Sequence, residues 1–156
     1  REDASVAFSH GVTLQYQTGW EEGYYISLAP QLQIAGRYHR LQDADVMELT
    51  VYNPDPRDKE FIGGLIRTLT GQLYYLPVIV GTERKLALSL PAGGESVYRM
   101  DLKQFMGCYL LQEKKDPANL SDMTTLEFVF RDPLECPGRI CLTGLRLGFY
   151  TENEQK

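Results

Sequence analysis

Residues 45–53 read DVMELTVYN, and this stretch decides the fold. Met47, Leu49 and Val51 alternate with Glu48, Thr50 and Tyr52. Side chains on a strand point to opposite faces in turn. Such a run therefore lays one face on a core and turns the other outward. An amphipathic helix would need its apolar residues three and four apart, and here they are two apart.

The same period recurs on both sides. Upstream, Val12, Leu14 and Tyr16 alternate with Thr13, Gln15 and Gln17. Tyr24, Ile26 and Leu28 alternate with Tyr25 and Ser27. Downstream, Leu86, Leu88 and Leu90 alternate with Lys85, Ala87 and Ser89, and Tyr98, Met100 and Leu102 with Arg99 and Asp101. Leu126, Phe128 and Phe130 alternate with Glu127 and Arg131. The last run sets Cys141, Thr143, Leu145, Leu147 and Phe149 against Leu142, Gly144, Arg146 and Gly148. Residues 19–23, 53–58, 81–82, 91–94 and 132–133 carry turn chemistry between these runs. Helical signal is confined to single turns at residues 101–106, with Asp101 as N-cap, and 116–123. Residues 30–45 are the least regular, with room for a strand at 32–34, and residues 57–69 also read as irregular. The expected fold is all-β: an antiparallel β-sandwich, a jelly roll, with at most one or two short helical turns.

Composition bounds the rest. A chain of 156 residues without repeat, low-complexity tract or linker reads as one domain over 1–156. With 43% hydrophobic and 24% charged residues, it is neither disordered nor a coiled coil. The net charge of -5 argues against a nucleic-acid partner, which would select a basic surplus. No apolar run approaches the roughly 20 residues of a membrane span. The chain begins at Arg1, so it reads as a processed or excised piece. The expected setting is extracellular or secreted, as part of a larger protein.

Reactive chemistry is sparse. The three cysteines are Cys108, Cys136 and Cys141, an odd number that rules out a complete disulfide framework. Cys136 and Cys141 bracket a tight-turn sequence, which allows either a local disulfide or two thiols. Only His10 and His39 are available to complete a zinc site, so none is expected. Both histidines read as surface or loop residues outside any nucleophile motif. The adjacent pair Glu21-Glu22 cannot straddle a glycosidic bond. Gly63-Gly64 lacks the Lys-Ser/Thr of a phosphate loop. Glu2, Asp3, Asp43 and Asp45 are the donors for a structural calcium, but none has the spacing of a dedicated loop. Residues 119–121 form a glycosylation sequon by pattern alone. The expectation is a protein without enzymatic activity and without a cofactor.

Ten tyrosines point instead to binding. An exposed aromatic ring beside polar groups suits a sugar, whose CH face stacks while its hydroxyls are hydrogen-bonded. The candidate platforms are Trp20, Tyr25, Tyr52 and Tyr75, and the candidate donors are Arg67, Gln72 and Arg99. Gln15, Gln17, Glu48, Thr50 and Asp101 are further polar residues expected on outward faces. The plainer alternative makes these residues ordinary cross-strand pairs and Trp20 a core plug.

The order of elements carries a resemblance. A strand at residues 12–17 leads through Gly19-Trp20 to GYYISL at 23–28, then DVMELTVYN at 45–53 and GQLYY at 71–75. YRMDLKQF at 98–105, TTLEFVFR at 124–131 and LTGLRLGFY at 142–150 follow. This series resembles the galactose-binding-like jelly rolls, as in carbohydrate-binding modules. That group often carries an Asp in the last strand, where Thr143-Gly144-Leu145 stands here. The resemblance implies a non-catalytic module whose partner is a polysaccharide or other glycan. The same fold also serves as a protein-interaction or assembly domain, which makes a protein partner the alternative.

Overall fold

The computed structural model describes residues 4–8, 12–16, 24–28, 31–34, 37–40, 44–69, 73–102, 123–132 and 137–149. These residues hold no helix and fourteen strands. In chain order they are β1 (Ala4–Phe8), β2 (Val12–Tyr16), β3 (Tyr24–Leu28), β4 (Gln31–Ile34) and β5 (Arg37–Arg40). Then come β6 (Val46–Tyr52), β7 (Lys59–Thr68), β8 (Leu73–Leu76), β9 (Val78–Val80) and β10 (Glu83–Lys85). The last four are β11 (Leu88–Leu90), β12 (Glu95–Asp101), β13 (Met123–Arg131) and β14 (Gly138–Phe149).

A seven-stranded sheet runs in the order β1-β14-β6-β12-β9-β10, with β2 also paired to β14. A five-stranded sheet runs β11-β7-β13-β3, with β8 also paired to β7. β4 and β5 form a separate antiparallel pair. The pairings are antiparallel in both larger sheets, as the alternating sequence requires. The chain is an all-β sandwich.

The deciding stretch behaves as its pattern dictates. Met47, Leu49 and Val51 on β6 are buried, while Glu48, Thr50 and Tyr52 face away from the core. The same alternation on β12 and β13 buries Tyr98 and Met100, and Leu126, Phe128 and Phe130. These side chains join Phe61, Ile66, Tyr74 and Leu76 in one cluster between the two sheets. Phe61 is its hub: its ring lies 4.5 Å from Tyr98 of the opposite sheet and 5.2 Å from Phe130 of its own. Each such side chain contributes about 1.5–3 kcal/mol by leaving water.

Four segments depart from the simple period. Residues 59–68 form a long central strand, β7, where the sequence reads as irregular. Phe61 and Ile66 face the core, but Leu65 on the other face is only 6% exposed. A strand covered on both faces shows no alternation, and its glycine pair adds a turn-like signal. Residues 85–90 read as one strand but are divided between two sheets: β10 pairs with β9, and β11 pairs with β7. The chain crosses over at Ala87, whose φ is +58°. On β14 the register shifts between Leu142 and Gly144. Leu142, Leu145 and Leu147 are buried while Cys141 and Thr143 are half-buried, so the bulge reverses the phase expected for the first part of this strand. Residues 31–40, the least regular in sequence, contain the β4–β5 hairpin. Asp101, the expected N-cap, is the last residue of β12. Both expected helical turns otherwise lie outside the described residues, apart from Leu102 and Met123.

Candidate functional site

The outer face of the seven-stranded sheet is laid out by register. Tyr52 ends β6, opposite Glu95 of β12 on one side and Cys141 of β14 on the other. Two residues back, Thr50 stands between Val97 and Gly144, and Glu48 stands between Arg99 and Arg146. At about 3.3 Å per residue, this line from Tyr52 to Glu48 is about 13 Å long. Tyr52 is 37% exposed and Val97 60% exposed. The Arg99 guanidinium donates to Glu48 at 3.0 Å, and Arg146 approaches the same carboxylate at 3.8 Å. Both arginines are partly exposed, so these pairs add little stability, about 0–1 kcal/mol each. Thr143, the extra residue of the bulge, places its hydroxyl 3.4 Å from the Thr50 carbonyl and 3.4 Å from Glu95 Oε2.

The outer face of the five-stranded sheet is different. Arg67 is exposed and pairs with Glu127 across the strand. Tyr75 is directed away from the core cluster, as the Tyr74-Tyr75 alternation expects, yet it is not an exposed ring. It is 3% exposed and packs with Leu65, Val129 and Ile62 in a second apolar cluster. Its hydroxyl donates to the Ile62 carbonyl. The ring crosses Gly63, where an added Cβ would meet Tyr75 Cε1 at 3.2 Å and the Leu76 carbonyl at 2.9 Å. Gly63 is therefore required both for space and for its φ of +128°. Tyr75 as an open platform is corrected on this point. Tyr25 stands opposite Val129 in the register of β3 and β13.

The five candidates among the described residues thus do not all share one face. Tyr52 and Arg99 share the outer face of one sheet. Arg67 and Tyr75 belong to the outer side of the other, and Tyr25 is paired in that second sheet. Trp20 and Gln72 lie outside the described residues, as do Gln17, His10, Cys136 and the calcium donors Glu2, Asp3 and Asp43. Asp45 is buried, and its backbone N–H donates to the Gly148 carbonyl at 2.8 Å. No group of three or more His, Cys, Asp or Glu residues suited to a metal occurs among the described residues. Cys141 is a free thiol that accepts a long contact from the Thr13 hydroxyl at 3.7 Å.

One polar assembly was not legible in the sequence. Asp132 is fully buried after β13, and the Tyr16 hydroxyl donates to it at 2.5 Å. The Arg57 guanidinium clasps the same carboxylate, with Nη2 at 2.7 Å and Nε at 3.1 Å from both oxygens. Lys59, 1% exposed, reaches Asp55 at 2.5 Å and the Arg139 carbonyl at 2.6 Å, and its ammonium lies 5.6 Å from the centre of the Tyr16 ring. Asn53 donates to the carbonyls of Arg57 and Leu90, at 2.8 and 3.1 Å, and closes the loop. An added Cβ at Gly138 would meet the Tyr16 hydroxyl at 2.5 Å, so the start of β14 must be glycine. Burial, the Asp132 hydrogen bond and the Asp132 charge push the Tyr16 phenol far up, against Arg57. Burial alone would raise Asp55, but Lys59 and the Arg139 N–H outweigh it and hold the carboxyl below its ordinary range. The charges at 53–58 and 132 stand in turn sequences, and only the tertiary fold buries Asp132 and partly covers Asp55 and Arg57, while Asp58 stays exposed.

No protein-family model and no curated protein matches the chain. Among solved structures, the solution structure of CtCBM11 superposes with a TM-score of 0.52 at 9% identity, over 95% of this chain and 90% of that one. The family 11 carbohydrate-binding module from Clostridium thermocellum, solved with a β-1,3-1,4-mixed-linked tetrasaccharide, matches at 10% identity and a TM-score of 0.47, over 96% and 89%. A structure of the infectious bursal disease virus Gx strain matches at 13% identity and a TM-score of 0.44, over 97% of this chain and 35% of that one. Likeness at these identities concerns the fold alone. The chain has the jelly-roll fold seen in CtCBM11.

Proposed function

We propose that this chain is a non-catalytic carbohydrate-binding module, and that its glycan lies along the outer face of the seven-stranded sheet. The observation that carries the reading is Tyr52. It is an exposed ring on a sheet face, flanked by Thr50, Glu95 and Thr143 and followed by the Arg99–Glu48–Arg146 group. A sugar stacks its CH face on such a ring, donates from its hydroxyls to the carboxylates beside it and accepts from the guanidinium and hydroxyl groups. The shared jelly-roll fold supports the reading, since the comparison proteins include modules named for carbohydrate binding.

A protein-binding face would need a larger apolar surface. Among the described residues, Val97 is the large apolar side chain exposed beside Tyr52, while Leu69, Val80 and Leu86, also exposed, lie off the Tyr52 row on other elements. The glycan reading carries with it an extracellular setting as part of a larger protein.

The test is a glycan array probed with the chain, covering neutral and acidic polysaccharide fragments. The reading expects saturable binding to a restricted group of glycans. A blank array, with capture of a protein partner by the Tyr52 face, would replace it with the assembly-domain alternative.

A further inference from the structure

We propose that the pocket at the β2–β14 end of the sandwich binds a single acidic sugar unit, a uronate. Arg139 takes its carboxylate, and Asp55 and Gln15 take its hydroxyls. The choice of a sugar rests on the proposed function; Gln15 and Arg139 lie on the same outer face as Tyr52, next to the Thr13–Cys141 pair, but Tyr52 does not line the pocket.

The pocket has a volume of about 340 Å³ and is lined by Gln15, Tyr16, Asp55, Pro137, Gly138 and Arg139. That is at the lower end of small-ligand sites, which suits one or two rings. The walls are preorganised. Asp55 is pinned through Oδ2 by the Lys59 ammonium at 2.5 Å and the Arg139 N–H at 2.8 Å. Its own N–H donates to Asn53 Oδ1 at 3.1 Å. Its second oxygen, Oδ1, accepts no hydrogen bond among the described residues and remains an acceptor for a hydroxyl.

Arg139 divides its duties. Its backbone serves the buried assembly, donating to Asp55 and accepting from Lys59. Its guanidinium is exposed and makes no ion pair among the described residues. Gln15, opposite Arg139 in the β2–β14 register, is likewise exposed and without a hydrogen bond among the described residues. A planar guanidinium matches a carboxylate in a two-pronged contact. Arg57 and Lys59 are paired with Asp132 and Asp55, so the exposed Arg139 is the cation this site offers an anion, although the whole chain carries -5. Pro137 supplies an apolar wall for ring CH groups.

The test is an NMR titration of the full chain with glucuronate and galacturonate, with glucose and acetate as controls. The proposal expects saturable shifts at Gln15, Gly138 and Arg139 with at least one uronate. Affinity should fall at least about tenfold in Arg139→Ala and persist in Tyr52→Ala. Arg139→Ala keeps every backbone contact, so its spectrum should otherwise match the parent. Gln15→Ala serves as a second variant and should also weaken binding. Absence of saturable shifts, equal binding of acetate or glucose, or indifference to Arg139→Ala would overturn the proposal. If oligosaccharide binding ignores Tyr52→Ala while the uronate shifts remain, the sheet-face reading fails and the pocket stands.

Discussion

Lys59 occupies the first position of β7 with 1% exposure, a place where a lysine survives only if paired. Its partner Asp55 and the Arg139 carbonyl satisfy it, and the Arg57–Asp132–Tyr16 group lies beside it. Removing one partner strands a buried charge. Asp55→Ala, which leaves the buried Lys59 ammonium without its carboxylate, should therefore cost about 3–5 kcal/mol, read from the urea midpoint. Tyr16 gives an alkaline signature. Its folded phenol titrates far above its unfolded value of about 10, so the folded state holds the proton that the unfolded chain releases. Stability should be fully present below about pH 10 and fall as pH rises beyond it. Tyr98, also raised by burial, adds a smaller part. In Tyr16→Phe the alkaline fall should be shallower, which chemical denaturation at pH 8 and 11 measures.

Strands are where the sequence was most legible and where its silences have physical causes. Residues 45–53 and 98–102 were read correctly because one face is buried and the other is open. β7 was missed because it is covered on both faces, with Leu65 and Tyr75 on the side away from the main core. That cover also removed Tyr75 from the exposed rings. The crossing at Ala87 was missed because both halves of residues 85–90 keep the same period. Ala87 has φ +58° without being glycine, so Ala87→Gly should relieve backbone strain. Set against the added freedom of the unfolded chain, the net gain should be on the order of 0.5 kcal/mol in thermal or urea unfolding. Gly63→Ala should do the opposite. It places a Cβ at φ +128° against Tyr75 and the Leu76 carbonyl and should cost more than about 2 kcal/mol.

At the scale of the whole molecule, two sheets enclose one core and leave two outer faces and two ends. The sequence named binding residues by chemistry, but it could not assign them to a common face. Among the described candidates, Tyr52 and Arg99 share the outer face of the seven-stranded sheet, together with Gln15, Glu48 and Thr50. The charged end assembled from residues 16, 53–59, 132 and 139 required long-range contacts no local pattern encodes. It also couples the fold to acid. Asp55 is held below its ordinary value, so its contribution is present above about pH 4 and lost as pH falls through the lowered folded value.

A glycan stacked on Tyr52 would owe much of its affinity to that one ring. The most direct measurement is calorimetry of the chain and of Tyr52→Ala against the best oligosaccharide from an array. Tyr52→Ala should lose at least about tenfold in affinity with an unchanged melting temperature. Equal affinity in the two proteins, with a saturable isotherm in each, would contradict it.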